Sequence, residues 1–130
     1  MPAPAQYTYS AAAIVASTTS LLALIDAAAT AGSIKIRDNS DVLLAQIPLT
    51  DPAGTVNGTT GQLTLTASAA DDLADNNGTA TYGEICDGDD NVILALPAQT
   101  GTAGASGYIV INNLSINQGG AVSLTSAVIG

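Results

Sequence analysis

The chain has 130 residues and a net charge of −9, from eleven acidic and two basic side chains, and it contains no histidine, tryptophan or phenylalanine. Because general acid–base catalysis most often uses histidine, and a nucleophilic Ser, Thr or Cys needs a neighbouring base, this composition argues against an enzyme, and we expect no cofactor. The charge also argues against nucleic acid and membrane surfaces as partners, since anionic surfaces are bound mainly through Lys and Arg. The single cysteine, Cys86, excludes an intrachain disulfide and is interpreted as a small core residue.

The first residues predict an extended N-terminal arm. Two prolines separated by one alanine precede Tyr7 and Tyr9, and such an opening favours extended backbone over helix. Tyrosine combines apolar area with a polar hydroxyl and is enriched at interfaces, so we interpret Tyr7 and Tyr9 as anchors on a neighbouring subunit or on the chain's own domain. We assign residues 1–19 to the arm and its lead-in, and residues 20–130 to a helix followed by a β-domain.

The segment from Ser20 to Ala31 predicts the helix. It begins with a good N-cap residue, continues through strong helix formers and is followed by Gly32, a favoured C-terminal stop. Residues Ser10 to Thr19 either extend this helix or remain extended. The hydroxyl run from Ser17 to Ser20 favours a break before the helix, because these side chains compete for backbone hydrogen bonds. Four apolar residues at helical spacing predict the face that packs on a sheet: Leu21, Leu24, Ile25 and Ala28.

After Gly32 the apolar residues recur with a period of two, which is typical of half-buried strands. Ile34 and Ile36 alternate with Lys35 and Arg37, so both basic side chains are predicted on one face of one strand. Further strands are predicted at Val42 to Leu49, Leu63 to Thr66, Gly78 to Cys86, Val92 to Leu96, Tyr108 to Ile111 and Val122 to Thr125. Turn-forming residues separate them, among them Asp38 to Asp41, Asp51 to Gly54 and Asp87 to Asn91. Seven to eight short strands with such turns predict an all-β sandwich or barrel, with excursions at residues 51–61 and 68–77.

Asp87, Asp89 and Asn91 form the densest group of oxygen ligands in the sequence. Their spacing is that of the first ligands of a calcium loop, which makes them the weak candidates for a metal site. An EF-hand would continue with Gly and end with a carboxylate, whereas Val92 and Ala98 stand at those positions. The alternative interpretation is a polar hairpin turn, for which Asp and Gly are favoured by their backbone conformations.

Lys35 and Arg37 are the only basic side chains of the chain. In a chain this acidic they have three possible roles: binding the chain's own carboxylates, docking on an acidic patch of a partner, or lying on a solvated strand face. We include both among the interface candidates, together with Tyr7 and Tyr9.

Five segments together resemble a family of small virion proteins of tailed bacteriophages, of the capsid decoration or cement type. They are LLALIDAAATAGSIKI from Leu21, LLAQIPLTDPAG from Leu43, GQLTLTA from Gly61, GTATYGEICDGDDNVIL from Gly78 and GGAVSLTSAVI from Gly119. The resemblance is one of order and spacing, and it covers most of residues 20–130. It implies a jelly-roll-like β-sandwich that attaches to the outside of a major capsid shell, as a homo-oligomer such as a dimer or trimer.

The resemblance and the composition together predict a non-enzymatic capsid decoration protein, located on the outer capsid surface, that binds the major capsid protein and stabilises the shell. The negative charge favours the exterior, because the interior of a filled shell is packed with DNA. The alternative is a binding module on the virion surface or tail that recognises host glycans, although carbohydrate sites normally present aromatic platforms and this chain has four tyrosines as its only aromatic residues.

Overall fold

The computed structural model describes residues 9–130, which form one helix and nine strands. Tyr7 therefore lies outside the described residues. The helix is α1 (Ala11–Ile25), and the strands are β1 (Ser33–Arg37), β2 (Leu43–Val56), β3 (Leu63–Ala67), β4 (Gly78–Thr79), β5 (Tyr82–Cys86), β6 (Val92–Gln99), β7 (Tyr108–Ile111), β8 (Ser115–Ile116) and β9 (Leu124–Ile129).

Seven of the strands close into a barrel in the order β1-β2-β3-β9-β7-β6-β5, and β4 pairs with β8 in a separate two-stranded sheet. The prediction of an all-β fold with one helix is confirmed, but the predicted jelly-roll-like sandwich is wrong. The closure depends on β9, which pairs antiparallel with β3 on one side and with β7 on the other, so the strands form one continuous sheet and not two facing ones. All the pairings in the barrel are antiparallel except the one between β6 and β7.

The helix lies earlier in the chain than predicted. Ser10 is the N-cap, with its hydroxyl accepting a hydrogen bond from the backbone N–H of Ala13, and the helix ends at Ile25, before Gly32. The predicted break from Ser17 to Ser20 is wrong. The hydroxyls of Ser17 and Thr18 donate to the carbonyls of the residues four positions earlier, a bond that a helix interior accommodates.

The predicted buried face of α1 is confirmed in part. Ile25 is buried and Leu21 packs against the core, whereas Leu24 is 54% exposed and Thr18, outside the predicted face, is buried. The Thr18 hydroxyl donates to the carbonyl oxygen of Gly61 at 2.7 Å, just before β3. Gly61 has φ +80, and a Cβ built there would lie 2.6 Å from the backbone nitrogen of Val15, so the helix approaches this loop as closely as glycine allows.

Two hairpins of the barrel have the same turn. In β1–β2 the N–H of Asp41 donates to the carbonyl of Asp38, the N–H of Asp38 donates to the carbonyl of Val42, and Asp41 has φ 65. In β5–β6 the corresponding bonds link Asp90 to Asp87 and Asp87 to Asn91, and Asp90 has φ 64. Each is a type I turn followed by a left-handed residue, which is a common three-residue hairpin loop.

The two hairpins are an internal repeat in sequence and in register. Four residues of the first, Ile36, Asp38, Asp41 and Pro48, recur at the same spacing in the second as Ile85, Asp87, Asp90 and Pro97. Each hairpin has its register shift at the corresponding point, after Ile36 and after Ile85. The two first strands pair antiparallel with Lys35 opposite Glu84, Ser33 opposite Cys86 and Arg37 opposite Tyr82. An approximate twofold axis therefore passes between Lys35 and Glu84.

Several strands have other bounds than predicted. β6 continues to Gln99, and β9 runs from Leu124 to Ile129 in place of Val122 to Thr125. β2 continues through the expected turn from Asp51 to Gly54, and after a register shift Gly54 pairs with Leu65 of β3. The segment from Gly78 to Cys86 is divided between β4 and β5, because Ala80 bonds to Leu114 outside the barrel while Thr81 bonds to Arg37 of β1.

The barrel interior is aliphatic, as the composition predicts. It is filled by branched side chains from nearly every strand, and the largest fully buried ones include Ile34, Ile36, Leu44, Ile47, Leu63, Ile85, Ile109 and Ile111. Within residues 9–130 no helix is long and apolar enough to cross a membrane.

Candidate functional site

Both basic side chains are paired with carboxylates of the same chain, on the outer face of β1 and β5. Lys35 Nζ lies 3.3 Å from Asp90 Oδ1, and Arg37 Nε donates to Glu84 Oε1 while its Nη1 donates to the Asp41 carbonyl at 3.0 Å. The hydrogen bond to Glu84 raises the pKa of Arg37 above its ordinary value, and the negative charge of that carboxylate acts in the same direction. The predicted placement of Lys35 and Arg37 on one strand face is confirmed, and of their three possible roles the structure shows the binding of own carboxylates. Their role at an interface stays a prediction.

Tyr82 adds a further contact on this face. Its hydroxyl donates to Asp41 Oδ1 at 2.7 Å, which joins the start of β5 to the turn after β1. The hydrogen bond to the Asp41 carboxylate, together with partial desolvation, raises the pKa of Tyr82 to about 12. Sequence patterns do not predict this contact, because Tyr82 and Asp41 meet only through the pairing of β1 with β5.

The candidate metal ligands form the turn of the second hairpin. Asp87 Oδ1 accepts from the backbone N–H groups of Asp89 and Asn91 at 3.0 and 2.9 Å, and Asp87 Oδ2 accepts from the Asn91 side-chain amide at 3.1 Å. These bonds lower the pKa of the Asp87 carboxyl, and the bond from the Asn91 side chain has the largest effect. Asp38 accepts equivalent backbone bonds in the first hairpin. Among the described residues no three Cys, Asp or Glu side chains are grouped as ligands for one ion, so the arrangement is that of a turn-forming carboxylate.

Asp71 has a role that sequence reasoning missed. Its Oδ2 accepts from the backbone N–H of Gln46 at 2.8 Å, while the N–H of Asp75 donates to the Leu44 carbonyl and the Asn76 side chain donates to the Leu43 carbonyl. The segment from Asp71 to Asn76 therefore covers the outer edge of β2 where no strand pairs with it. Residues 68–77 are thus not the excursion that was predicted.

The corresponding edge of β6 has no such cover among the described residues. The repeat places Ile93 where β2 has Leu44, and Ala95 where β2 has Gln46. β7 pairs with β6 only at Ala98 and Gln99, and no hydrogen bond joins Ile93 or Ala95 to a loop of residues 9–130. None of the residues of β6 is buried, and Val92 is 52% exposed, whereas β2 buries Leu44, Ala45 and Ile47.

Other exposed apolar side chains lie apart in sequence. Tyr9, directly before the helix cap, is 61% exposed, and Leu73, in the segment that covers β2, is 74% exposed. The role of Tyr9 as an interface anchor stays a prediction. Cys86 is fully buried, and desolvation raises the pKa of its thiol, which suits the predicted core role.

The described residues form surfaces and edges but no pocket. Their polar side chains mainly serve backbone groups of turns and edges, as Asp38, Asp71 and Asp87 do. The features that could contact another molecule are a partly apolar sheet edge on β6, exposed apolar side chains, and an acidic surface on which both basic side chains are already paired. Comparison with protein-family models, curated proteins and solved structures finds no match.

Proposed function

We propose that this chain is a non-enzymatic structural protein of a bacteriophage virion, which binds the outer surface of the major capsid shell and stabilises it. The observation that carries the proposal is the distribution of apolar surface. The barrel interior is filled by its own aliphatic side chains, while exposed apolar groups remain on the outside, at Tyr9, Leu24, Leu73 and Val92. Such a surface suits binding to another protein surface better than enclosing a small molecule.

The charge distribution supports an external location. Lys35 and Arg37 are held by Asp90 and Glu84, so neither is available to neutralise phosphate. The acidic surface would be repelled by packaged DNA inside the shell, whereas the outside imposes no such repulsion. The resemblance of five segments to decoration proteins of tailed bacteriophages favours the same location.

The mode of attachment follows from the size of the exposed apolar groups. Each is a single side chain or a short edge, so one copy presents little apolar area to a shell. A repeated lattice compensates for this, because several contacts made by one oligomer raise the overall affinity through effective concentration. Association as a homo-oligomer is therefore part of the proposal.

The experiment compares phage particles with and without this protein. We expect hundreds of copies in the purified particle, an added layer on the shell in electron microscopy, and loss of packaged DNA at a lower temperature when the gene is deleted. Adding the purified protein back restores the original stability. A handful of copies per particle, located at the tail, would favour the glycan-binding alternative, and absence from the particle would refute both.

Two tyrosine variants refine the test. Tyr9→Ser removes the predicted anchor, and we expect retention on the shell to fall by about tenfold or more, since buried tyrosines are frequent hot spots. Tyr108→Ser is the matched control, because Tyr108 is also exposed, at 38%, but starts β7 of the barrel. Equal retention of both variants would remove Tyr9 from the interface without affecting the location of the protein.

A further inference from the structure

The outer edge of β6 is the part of the barrel that the internal repeat singles out. In the first hairpin the chain covers the edge of β2 with its own segment from Asp71 to Asn76, which bonds to Gln46, Leu44 and Leu43. In the second hairpin the equivalent groups, at Ala95, Ile93 and Val92, have no such partners within residues 9–130. Uncovered strand edges are templates for pairing with another strand.

The backbone groups that face outward follow from the alternation of an antiparallel ladder. Pro97 has no N–H and stands opposite Tyr82, while the N–H of Ala98 donates to Thr81 on the β5 side. Because hydrogen-bonded and non-bonded pairs alternate, Leu94 and Leu96 bond to β5, and the N–H and C=O of Ala95 point away from it. In the first hairpin the carbonyl of Leu44 points outward and accepts from the N–H of Asp75. Ile93 is the equivalent bulge residue of the second hairpin, so its carbonyl also points outward.

We propose that two copies of this chain associate by antiparallel pairing of their β6 edges about a twofold axis at Leu94. In this register Ala95 of each copy lies opposite Ile93 of the other. The N–H of each Ala95 donates to the carbonyl of Ile93 in the other copy. The pairing is self-complementary, as an interface between identical subunits with twofold symmetry requires. A register centred on Ala95 would also form two bonds, between the Ala95 residues of the two copies, but it would place the donor-free Pro97 opposite Ile93 and leave the Ile93 carbonyl without a donor, which favours the register centred on Leu94.

The outward N–H of Ala95 and the outward C=O of Ile93 complement the same groups of a second copy, and the lack of charge on the edge allows that copy to approach. β6 has no charged residue from Val92 to Gln99, although the chain as a whole carries −9. Edge strands that remain single are commonly protected by a charged side chain, and β6 has none. Antiparallel pairing about Leu94 also carries the acidic turns, with Asp87, Asp89 and Asp90, to opposite ends of the joint sheet. The partner strand then lies beside Val92, which is 52% exposed, and beside Leu94 and Leu96, which are partly exposed and pack against the core of their own barrel.

The test measures the oligomeric state of the full chain by sedimentation equilibrium. We expect a monomer–dimer equilibrium, with dimer predominant at about 100 µM. Ala95→Pro removes a donor that has no hydrogen-bond acceptor within residues 9–130, and Ala95→Lys places a charge on the edge. Each should raise the dissociation constant by about tenfold or more, since two symmetry-related bonds are lost or strained.

Gln46→Lys is the matched control, because Gln46 occupies the equivalent position on the covered edge of β2 and is also exposed. It should leave the dissociation constant unchanged. In the wild type, the amide of Ala95 should exchange with solvent more slowly as the protein concentration rises, whereas that of Gln46 should not change. A wild type that stays monomeric at about 100 µM, or a dimer that neither Ala95 variant weakens, would overturn the proposal. These results do not depend on the capsid role, because no shell takes part.

Discussion

Four of the eleven acidic side chains accept hydrogen bonds from backbone N–H groups. Asp38 and Asp87 each bind two N–H groups of their own turn, Asp71 binds the edge of β2, and Asp26 accepts from the N–H of Ala53 at 2.9 Å. Part of the negative charge therefore has a structural reason, besides its effect on the choice of partner.

Tyr82 provides a pH-dependent measurement of the contact between β5 and the first turn. Its pKa of about 12 lies above the ordinary value, so the bond to Asp41 stabilises the fold below about pH 10, and this contribution is lost as the pH rises toward 12. Ultraviolet titration should resolve one tyrosine near pH 12. Asp41→Asn should return the pKa of Tyr82 toward 10, and Tyr82→Phe should abolish the late titration step near pH 12. If the late step persists in Tyr82→Phe, the assignment is wrong.

The pair of Arg37 and Glu84 should contribute more to stability than that of Lys35 and Asp90. The side chains of Arg37 and Glu84 are 23% and 18% exposed, whereas that of Asp90 is 65% exposed. We expect Arg37→Met to lower the free energy of unfolding by about 1–3 kcal/mol, because it leaves a half-buried carboxylate without its donor.

Urea denaturation measures this difference, with Lys35→Met as the control that should cost less than about 1 kcal/mol. The double variant Arg37→Met with Glu84→Gln should recover part of the loss, since the unpaired charge is then removed. Equal effects of Arg37→Met and Lys35→Met would contradict the ranking.

At the level of elements, the two hairpins show how one local pattern can serve two environments. Both turns use an aspartate that binds backbone N–H groups and a second aspartate in the left-handed region. The strands that follow differ, because β2 is covered by the segment from Asp71 to Asn76, whereas no part of the chain from residue 9 onward bonds to the equivalent edge of β6. Coverage of an edge is thus decided outside the repeat, by segments with no counterpart in the other half.

The docking of α1 on the barrel can be tested at Gly61. A side chain there would contact the backbone of Ile14 and Val15 at 2.8 Å or less, and the residue also has φ +80. We expect Gly61→Ala to lower the free energy of unfolding by about 1–3 kcal/mol, because it combines backbone strain with displacement of the helix. Gly58→Ala is the control, since nothing lies within 4 Å of a Cβ at that position. Thermal unfolding of the two variants gives the comparison, and equal melting temperatures would contradict the close approach.

For the whole molecule, the dominant electrostatic fact is a net charge of −9 with both cations already paired. Uncompensated like charges on a compact domain repel one another, and salt screens this repulsion over about 8–10 Å at physiological ionic strength. Solubility and assembly should therefore both respond to ionic strength.

We expect the melting temperature to rise by about 3 °C between low salt and physiological ionic strength, because screening relieves self-repulsion. The double variant Asp72→Asn with Asp75→Asn should show a smaller rise, since both residues are exposed and neither side chain bonds to another described residue. Differential scanning calorimetry at two salt concentrations tests this. A wild type that is insensitive to salt would show that the charges are too widely spaced to matter.

Local chemistry in the sequence determines the all-β character, the turns at Asp38 and Asp87, and the alternation that places Lys35 and Arg37 outside and Ile34 and Ile36 inside. These features depend on neighbouring residues alone, through strand periodicity and turn conformation. The spacing of Ile, Asp, Asp and Pro that recurs from Ile36 and from Ile85 is also visible in the sequence, and it would have indicated the repeat.

The tertiary structure alone decides barrel closure, the length of the helix and the difference between the two edges. Closure requires β9 to meet both β3 and β7, and α1 continues through Ser17 to Ser20 while the Thr18 hydroxyl reaches Gly61, distant in the chain. Asp71 reaches Gln46 in the same long-range way, and within residues 9–130 no equivalent segment bonds to Ala95. Contacts between residues far apart in sequence leave no periodic signal, because their free energy depends on how whole elements pack together.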